Sequence, residues 1–262
     1  MPLKITTWNV NSLNVRLPHV LDWLAAHSVD VLCLQETKLT DDRFPTQALR
    51  DAGYAAIYSG QKTYNGVAIL SRVETVGEAA DVVIGNPLFP DEQKRLISAT
   101  FKGVRVVNGY FPNGQAPDSD KFVYKLAWLE ALAQWLDRER TQYPDLALVG
   151  DFNITRDDLD VHDPEAWRGQ IHCTDAERGW LSSLLDGGLV DAFRSFDPPP
   201  KSYSWWDYRQ GAFRRNAGLR IDLILLTQAL AQRARSCSID REARKREQPS
   251  DHAPVTVEIE SY

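Results

Sequence analysis

The chain has 262 residues, 43% hydrophobic and 25% charged, which is ordinary for a soluble globular protein and enough for one large domain with two packed sheets or for two small domains. A core of that size needs no covalent staple. The net charge of −6 argues, taken alone, against a nucleic-acid ligand, although Arg209, Arg214, Arg215 and Arg220, and then Arg241, Arg244, Lys245 and Arg246, gather late in the chain. Each cluster has an ordinary reading as a solvated face. Carboxylates collected at a metal site would also lower the total without weakening a basic rim.

Cys33, Cys173 and Cys237 lie far apart, and none forms a C-x-x-C pair. An odd, sparse set argues against a disulfide framework and predicts three small buried hydrophobes in a reducing compartment, the cytoplasm. Met1-Pro2-Leu3-Lys4-Ile5 runs straight into a strand-like segment, so no secretory signal is expected. No apolar run is long enough for a membrane helix.

In chain order, Ile5 to Trp8 reads as a strand, and Leu17, Val20, Leu21 and Leu24 at helical spacing predict a helix over 16–27. Val31 to Leu34 is a second strand. This β-α-β unit makes the two strands parallel, so Asn9 and Glu36 should emerge at one sheet edge. Further strands are expected at 66–70, 96–101, 104–110, 146–149, 221–226 and 255–259. A helix is expected over 120–140, with Phe122, Leu126, Leu129, Ala133 and Leu136 on one stripe. Another follows Thr174, which forms a capping-box pattern with Glu177 and is stopped by Gly187-Gly188. Hairpin pairs mixed with helical crossovers predict an α/β fold of two sheets packed face to face with helices outside. No repeat or linker composition divides 1–262.

Polar clusters interrupt the apolar strand ends: Asn9 with Glu36, Asn108-Gly109-Tyr110, Gly150-Asp151-Phe152-Asn153 and Ser250-Asp251-His252. Asp222 adds a carboxylate beside an apolar run. Asp151 and Asn153, two apart, would face one side of an extended chain. Any one of these carboxylates could cap a turn or pair with an arginine. Their shared strand-end position favours one convergent site, because a buried carboxylate needs a partner. Such a site is rich in oxygen, with one histidine and no cysteine. That set suits Mg2+ or Mn2+ rather than zinc, and a hard cation among carboxylates suits phosphate-ester chemistry.

Seven blocks in order carry a resemblance. They are Thr7-Trp8-Asn9-Val10-Asn11, Leu34-Gln35-Glu36-Thr37-Lys38, Asn108-Gly109-Tyr110-Phe111-Pro112, Gly150-Asp151-Phe152-Asn153, Tyr203-Ser204-Trp205-Trp206-Asp207-Tyr208-Arg209, Gly218-Leu219-Arg220-Ile221-Asp222 and Ser250-Asp251-His252-Ala253-Pro254. Together they resemble the signature blocks of the exonuclease III family of AP endonucleases over essentially the whole chain. The resemblance implies a four-layer α/β sandwich of the DNase I-like type, formed as one domain over 1–262. It also implies a monomeric hydrolase acting on damaged duplex DNA with no membrane partner.

Carried over residue by residue, the resemblance makes Glu36 the main metal ligand, with Asn9, Asp151, Asn153, Asp251 and His252 around the ion. Asp151 would activate the attacking water, and Asn153 would hold that water or a phosphoryl oxygen. Tyr110 would contact the phosphate. His252, fixed by Asp222, would donate to a non-bridging oxygen. Asn11 stands where some relatives carry Asp, which leaves the number of metals open. Trp205, Trp206, Leu219 and Ile221 match a pocket for a baseless sugar, with one of the two tryptophans expected in the core. Arg209 and Arg220 would hold backbone phosphates.

His172 resembles the residue of a subgroup specialised for trimming blocked 3′ ends, in which a bulky imidazole closes the pocket to an uncut strand; its plain reading is an ordinary loop residue. Three alternatives stand beside this one: a full AP endonuclease, a phosphatase of inositol phosphates or sphingomyelin on the same fold, and a non-catalytic nucleic-acid-binding regulator. The Trp205 and Gly218-Leu219-Arg220 blocks favour DNA over the phosphatase, and filled catalytic positions disfavour the regulator.

Overall fold

The computed structural model describes residues 2–260; residues 1, 261 and 262 of the expected 1–262 domain lie outside the described residues. The strands are β1 (Leu3–Asn9), β2 (Val31–Gln35), β3 (Tyr54–Ser59), β4 (Val67–Arg72), β5 (Ala80–Ile84), β6 (Leu96–Phe101), β7 (Val104–Tyr110), β8 (Leu146–Asp151), β9 (Leu189–Asp191), β10 (Asp222–Thr227), β11 (Ala234–Ile239) and β12 (Val255–Ile259). They form two six-stranded sheets, ordered β11-β12-β1-β2-β4-β3 and β5-β6-β7-β8-β10-β9. Each sheet has one parallel pair near its middle, β1 with β2 and β7 with β8, and is otherwise antiparallel. A helix connects each parallel pair, Leu13–His27 in the first sheet and Asp120–Gln142 in the second. A parallel pair cannot be closed by a tight turn, so the crossover helix is required.

The four layers follow from which face of each strand is covered. Val31 and Cys33 of β2 point into the gap between the sheets, where they join Ile97, Ala99, Val106, Ala147 and Val149. Leu32 and Leu34 point the other way, against Val20, Trp23 and Leu24. The second sheet repeats this, with Val107, Leu146 and Leu148 packed under Trp128, Leu129, Leu132 and Leu136. Central strands buried on both faces read as continuous apolar runs.

Several helical and strand boundaries move by a few residues. The first helix begins at Leu13, just after Ser12 at φ 87°, and the long helix runs on to Gln142. Phe122, Leu129 and Leu136 are buried as the stripe requires, while Leu126 and Ala133 sit at its margin beside buried Trp128 and Trp135. The Thr174–Glu177 capping box is formed. Strands β3, β5, β9 and β11 were not anticipated, and they are the four sheet edges. An edge strand covers one face or neither, so it lacks the apolar run; Ala80–Ile84 is mostly exposed.

Polar side chains cross the gap between the sheets near the ends of the central strands. Asn108 on β7 is fully buried and donates to the carbonyls of Leu34 (3.0 Å) and Ala68 (2.9 Å) in the opposite sheet. Its Oδ1 accepts from Gln35 Nε2 at 2.7 Å. Gly150, at φ 147°, lets β8 lie against β7: a Cβ there would stand 1.9 Å from the Gly109 carbonyl oxygen. Replacing Asn108 by Leu removes three cross-sheet hydrogen bonds and strands their partners. We expect a loss of about 3 kcal/mol in urea denaturation. An unchanged midpoint would mean that Asn108 does not tie the sheets.

Candidate active site

The C-terminal ends of β1, β2, β7 and β8 meet the N-terminal ends of β10 and β12 along one edge of the sandwich, as the register requires. Asp151 ends β8 opposite Asp222 at the start of β10, and Tyr110 pairs with Asp151 across β7 and β8. Asn9 ends β1 beside Gln35, so Glu36 follows directly from the neighbouring strand. Glu36 itself turns the chain at φ 52°.

Asn9 joins the two sheets at this edge. Its Nδ2 donates to Glu36 Oε1 at 2.9 Å and to Asp151 Oδ2 at 2.8 Å. Glu36, Asp151 and His252 place ligand atoms within 4.8 Å of one another. Burial drives the Asp151 pKa up to about 7; His252 opposes the rise, while Asp222 and Glu36 support it. Carboxylate oxygens from buried Asp151 and partly exposed Glu36 brought this close together are a donor set that a hard divalent cation fits.

His252 Nδ1 lies 3.0 and 2.9 Å from the two oxygens of Asp222. Its Nε2 faces Asp151 Oδ2 at 3.7 Å. Burial works against charge on the ring, but Asp222 and Asp151 override it and hold the imidazole pKa at about 10. A protonated ring has no lone pair to give and acts here as a donor. Ser204 had drawn no role from the sequence. Its Oγ donates to Asp222 Oδ2 at 2.7 Å and accepts from the Ile221 and Asp222 amides, fixing the carboxylate that fixes the histidine.

Asp251 stands beside this group with both oxygens engaged, Oδ1 by Asn11 Nδ2 (3.0 Å) and Oδ2 by Trp205 Nε1 (3.0 Å). Lys38, also without an expected role, reaches Glu36 Oε2 at 2.9 Å and Asn11 Oδ1 at 2.6 Å. Its signal is its place in the Leu34–Lys38 block, two residues after Glu36. Burial, then Glu36 and Asp151, push the Tyr110 phenol well above its ordinary pKa, so it remains a donor. The Arg95 guanidinium lies over its ring at 4.9 Å.

Asn153 does not lie in extended chain as expected. It sits at φ 51°, and the backbone folds back so that its N–H donates to Asp151 Oδ1 at 3.0 Å. This local turn, not strand alternation, brings the two side chains together. Asn153 Nδ2 donates to the Phe111 carbonyl (3.1 Å) and approaches Asp151 Oδ2 (3.4 Å).

Trp205 is half-buried and packs against Val161, Cys173, Leu219 and Ile221, which form an apolar wall; Leu219 and Ile221 lie buried behind it. Trp206 turns the other way, into a separate cluster with Tyr203, Ala212 and Ala253. The expectation for Arg220 is corrected. It is 1% exposed and bound to Asp160 and Asp191 through four hydrogen bonds of 2.7 to 3.1 Å, so it cannot meet a backbone phosphate. Its place between Leu219 and Ile221 on alternate faces explains the burial. Arg209 is exposed and, among the described residues, is held by Asp207 alone. In the 241–246 run, Arg244 is buried over Phe213 and donates to the Ser250 carbonyl at 2.8 Å, so that face is not simply solvated.

His172 is 6% exposed at φ 73°. Its Nδ1 donates to the Asn153 carbonyl at 2.6 Å, and the Trp167 ring lies 6.2 Å away. The imidazole therefore sits behind Asn153 and beside the apolar wall. Burial, followed by the nearby Lys125 ammonium, lowers its pKa to about 3 and keeps it neutral.

Comparison with known proteins places this arrangement among nucleases. Residues 6–252 match the endonuclease/exonuclease/phosphatase family. The chain is 36% identical to exodeoxyribonuclease III of Haemophilus influenzae, over 98% of this chain and 100% of that protein. It superposes on the 3′ phosphatase NExo from Neisseria bound to a product DNA hairpin with a TM-score of 0.95, at 50% identity over 99% of this chain and 100% of the other. An AP endonuclease from Archaeoglobus fulgidus gives a TM-score of 0.93 at 38% identity, over 99% and 100%.

The neutral His172 predicts an acid-sensitive fold. Its folded pKa lies below the unfolded value of 6.5, so the unfolded chain takes up the extra proton, and stability falls as pH drops from 6.5 toward about 3. This one group contributes up to about 1.4 kcal/mol per pH unit in that window. His172→Gln should lose melting temperature less steeply than the parent between pH 6.5 and 4.5. Parallel curves would place the imidazole in water.

Proposed function

The chain belongs to the endonuclease/exonuclease/phosphatase family, within its exonuclease III branch, and on that premise we propose that it is a divalent-cation-dependent phosphodiesterase that trims blocked 3′ ends in duplex DNA. The observation that carries the chemistry is Asn9 Nδ2 bridging Glu36 and Asp151, with the Asp222–His252 pair facing the same carboxylate. Two sheets converge there on a site that is acidic on one side and cationic on the other.

Glu36 and Asp151 are the residues that would hold Mg2+ or Mn2+, with Asn9, Asn153 and Asp251 adjacent. When bound, such an ion offsets charge on the phosphoryl oxygens and makes water a better nucleophile. Asp151, poised near neutrality, takes the proton of the attacking water. His252 presents its Nε2–H to a non-bridging oxygen, with the charge fixed by Asp222. Tyr110 donates its phenol proton to the phosphate or to the leaving oxygen. Asn153 directs its amide to the water or to a phosphoryl oxygen. Trp205 and the wall behind it receive the sugar face, and Arg209 is free to meet a backbone phosphate.

The preference for 3′ ends rests on His172. Packed between Asn153 and Trp167, it narrows the wall from behind on the side where an uncut strand would continue. The Neisseria 3′ phosphatase, identical at half of the aligned positions, supports that reading. The three unpaired cysteines fit the cytoplasm, and we take the working form to be a monomer of one domain over 1–262.

Three duplexes test the preference: an internal abasic site, a 3′-phosphate, and a recessed 3′ end. The 3′-phosphate should be removed at least about tenfold faster than the abasic site is cut, and His172→Ser should narrow that gap. Equal rates in the parent protein would make it a full AP endonuclease. Asp151→Asn should bind nicked DNA as the parent does and lose about 10³-fold or more in turnover, as should Glu36→Ala or added chelator. Full activity in any of these would mean that the site lies elsewhere.

A further inference from the structure

Behind the site lies an ion pair that the reaction does not use. Lys125 projects from the Asp120–Gln142 helix and Glu177 from the first turn of the Asp175–Asp186 helix; both side chains are 0% exposed and in direct hydrogen-bonded contact. Glu177 is saturated. Besides Lys125, Oε1 accepts from the His172 amide (3.1 Å), and Oε2 accepts from the Thr174 amide (3.1 Å) and hydroxyl (2.6 Å). Lys125 is saturated as well. Its ammonium donates to Glu177, to the Asn153 carbonyl at 2.8 Å and to the Asn113 carbonyl at 3.2 Å.

Stability does not account for such a pair. Two charges taken fully out of water lose about as much as they gain from each other, and an uncharged replacement of both is often neutral or better. What an apolar pair could not do is bind two carbonyls at one point. Those carbonyls belong to the loops that flank Asn153: Phe111, two residues before Asn113, accepts from the Asn153 amide, and Asn113 Nδ2 lies 3.5 Å from Asn153 Oδ1. Asn153 is a non-glycine residue in the left-handed region and needs its surroundings to hold it there.

We propose that Lys125 and Glu177 are positioning residues that clamp the backbone of Asn153, and through it hold the Asn153 amide and the Asp151 carboxylate in register for phosphodiester cleavage. The inference rests on the function proposed above and adds to it two residues that never touch substrate. His172, which binds the same carbonyl, belongs to the same clamp.

Lys125→Met alone leaves a buried unpaired carboxylate and would confuse unfolding with loss of positioning. The informative variant is the pair Lys125→Met/Glu177→Gln, which removes both charges and keeps the oxygen that accepts at the helix cap. It should fold, with kcat for 3′-phosphate removal about 30-fold lower and KM for DNA within about threefold of the parent. In an Asn153→Ala background, the double change should cost less than about twofold more, because the residue it acts through is gone.

A folded double variant with parental kcat would overturn the proposal. So would an undiminished loss in the Asn153→Ala background, and so would a double variant that does not fold, since the pair would then be structural. Full activity in Asp151→Asn, by contrast, would overturn the underlying reading and leave these comparisons to be read separately.

Discussion

Everything at the active edge depends on two sheets being held at one separation by amides that cross the space between them. Asn108 sits deep and binds two carbonyls and one side chain of the opposite sheet. Asn9 sits at the rim and binds a carboxylate from each sheet. An apolar interface is tolerant of sliding, because dispersion contacts are not directional. Amides are directional, and each fixes a lateral offset as well as a distance. Without that offset, Glu36 and Asp151 would remain acids on separate sheets, with no shared space between them for a cation.

Burial acts on both enclosed histidines, and their neighbours override it in one and reinforce it in the other. His252 and His172 are both enclosed. The first faces Asp222 and Asp151 and is held as a cation, to about 10. The second faces Lys125 and stays neutral, at about 3. One chain thus uses the same side chain as a fixed charge and as an uncharged tie to a backbone carbonyl. The overall charge of −6 carried little information about the ligand for a related reason. Much of the acidic excess is turned inward, at Glu36 and Asp151, or cancelled within buried pairs such as Arg220 with Asp160 and Asp191.

What could be read from the residues follows from burial. Central strands such as Val31–Gln35, covered on both faces, announce themselves as apolar runs, and polar residues at their ends stand out against them. Edge strands such as Ala80–Ile84 do not. Site residues that belong to strand ends were therefore visible. Those whose role depends on a turn or on a distant partner were not. Ser204 looked like any serine until Asp222 was beside it. Lys125 looked like the polar side of a helix although it is fully enclosed. Arg220 looked like a phosphate clamp because its two carboxylates lie 29 and 60 residues away in sequence.

Strand β1 closes its sheet against β12, with Thr6 and Thr256 in hydroxyl contact across 250 residues of chain. Asp251 and His252 lie just before that last strand. The first strand gains β2 early but acquires its second neighbour only when residues 255–259 have been made, and the His252 imidazole arrives in the same few residues. The segment that finishes the sheet is thus also the segment that brings Asp251 and His252 to the edge where Glu36 and Asp151 meet.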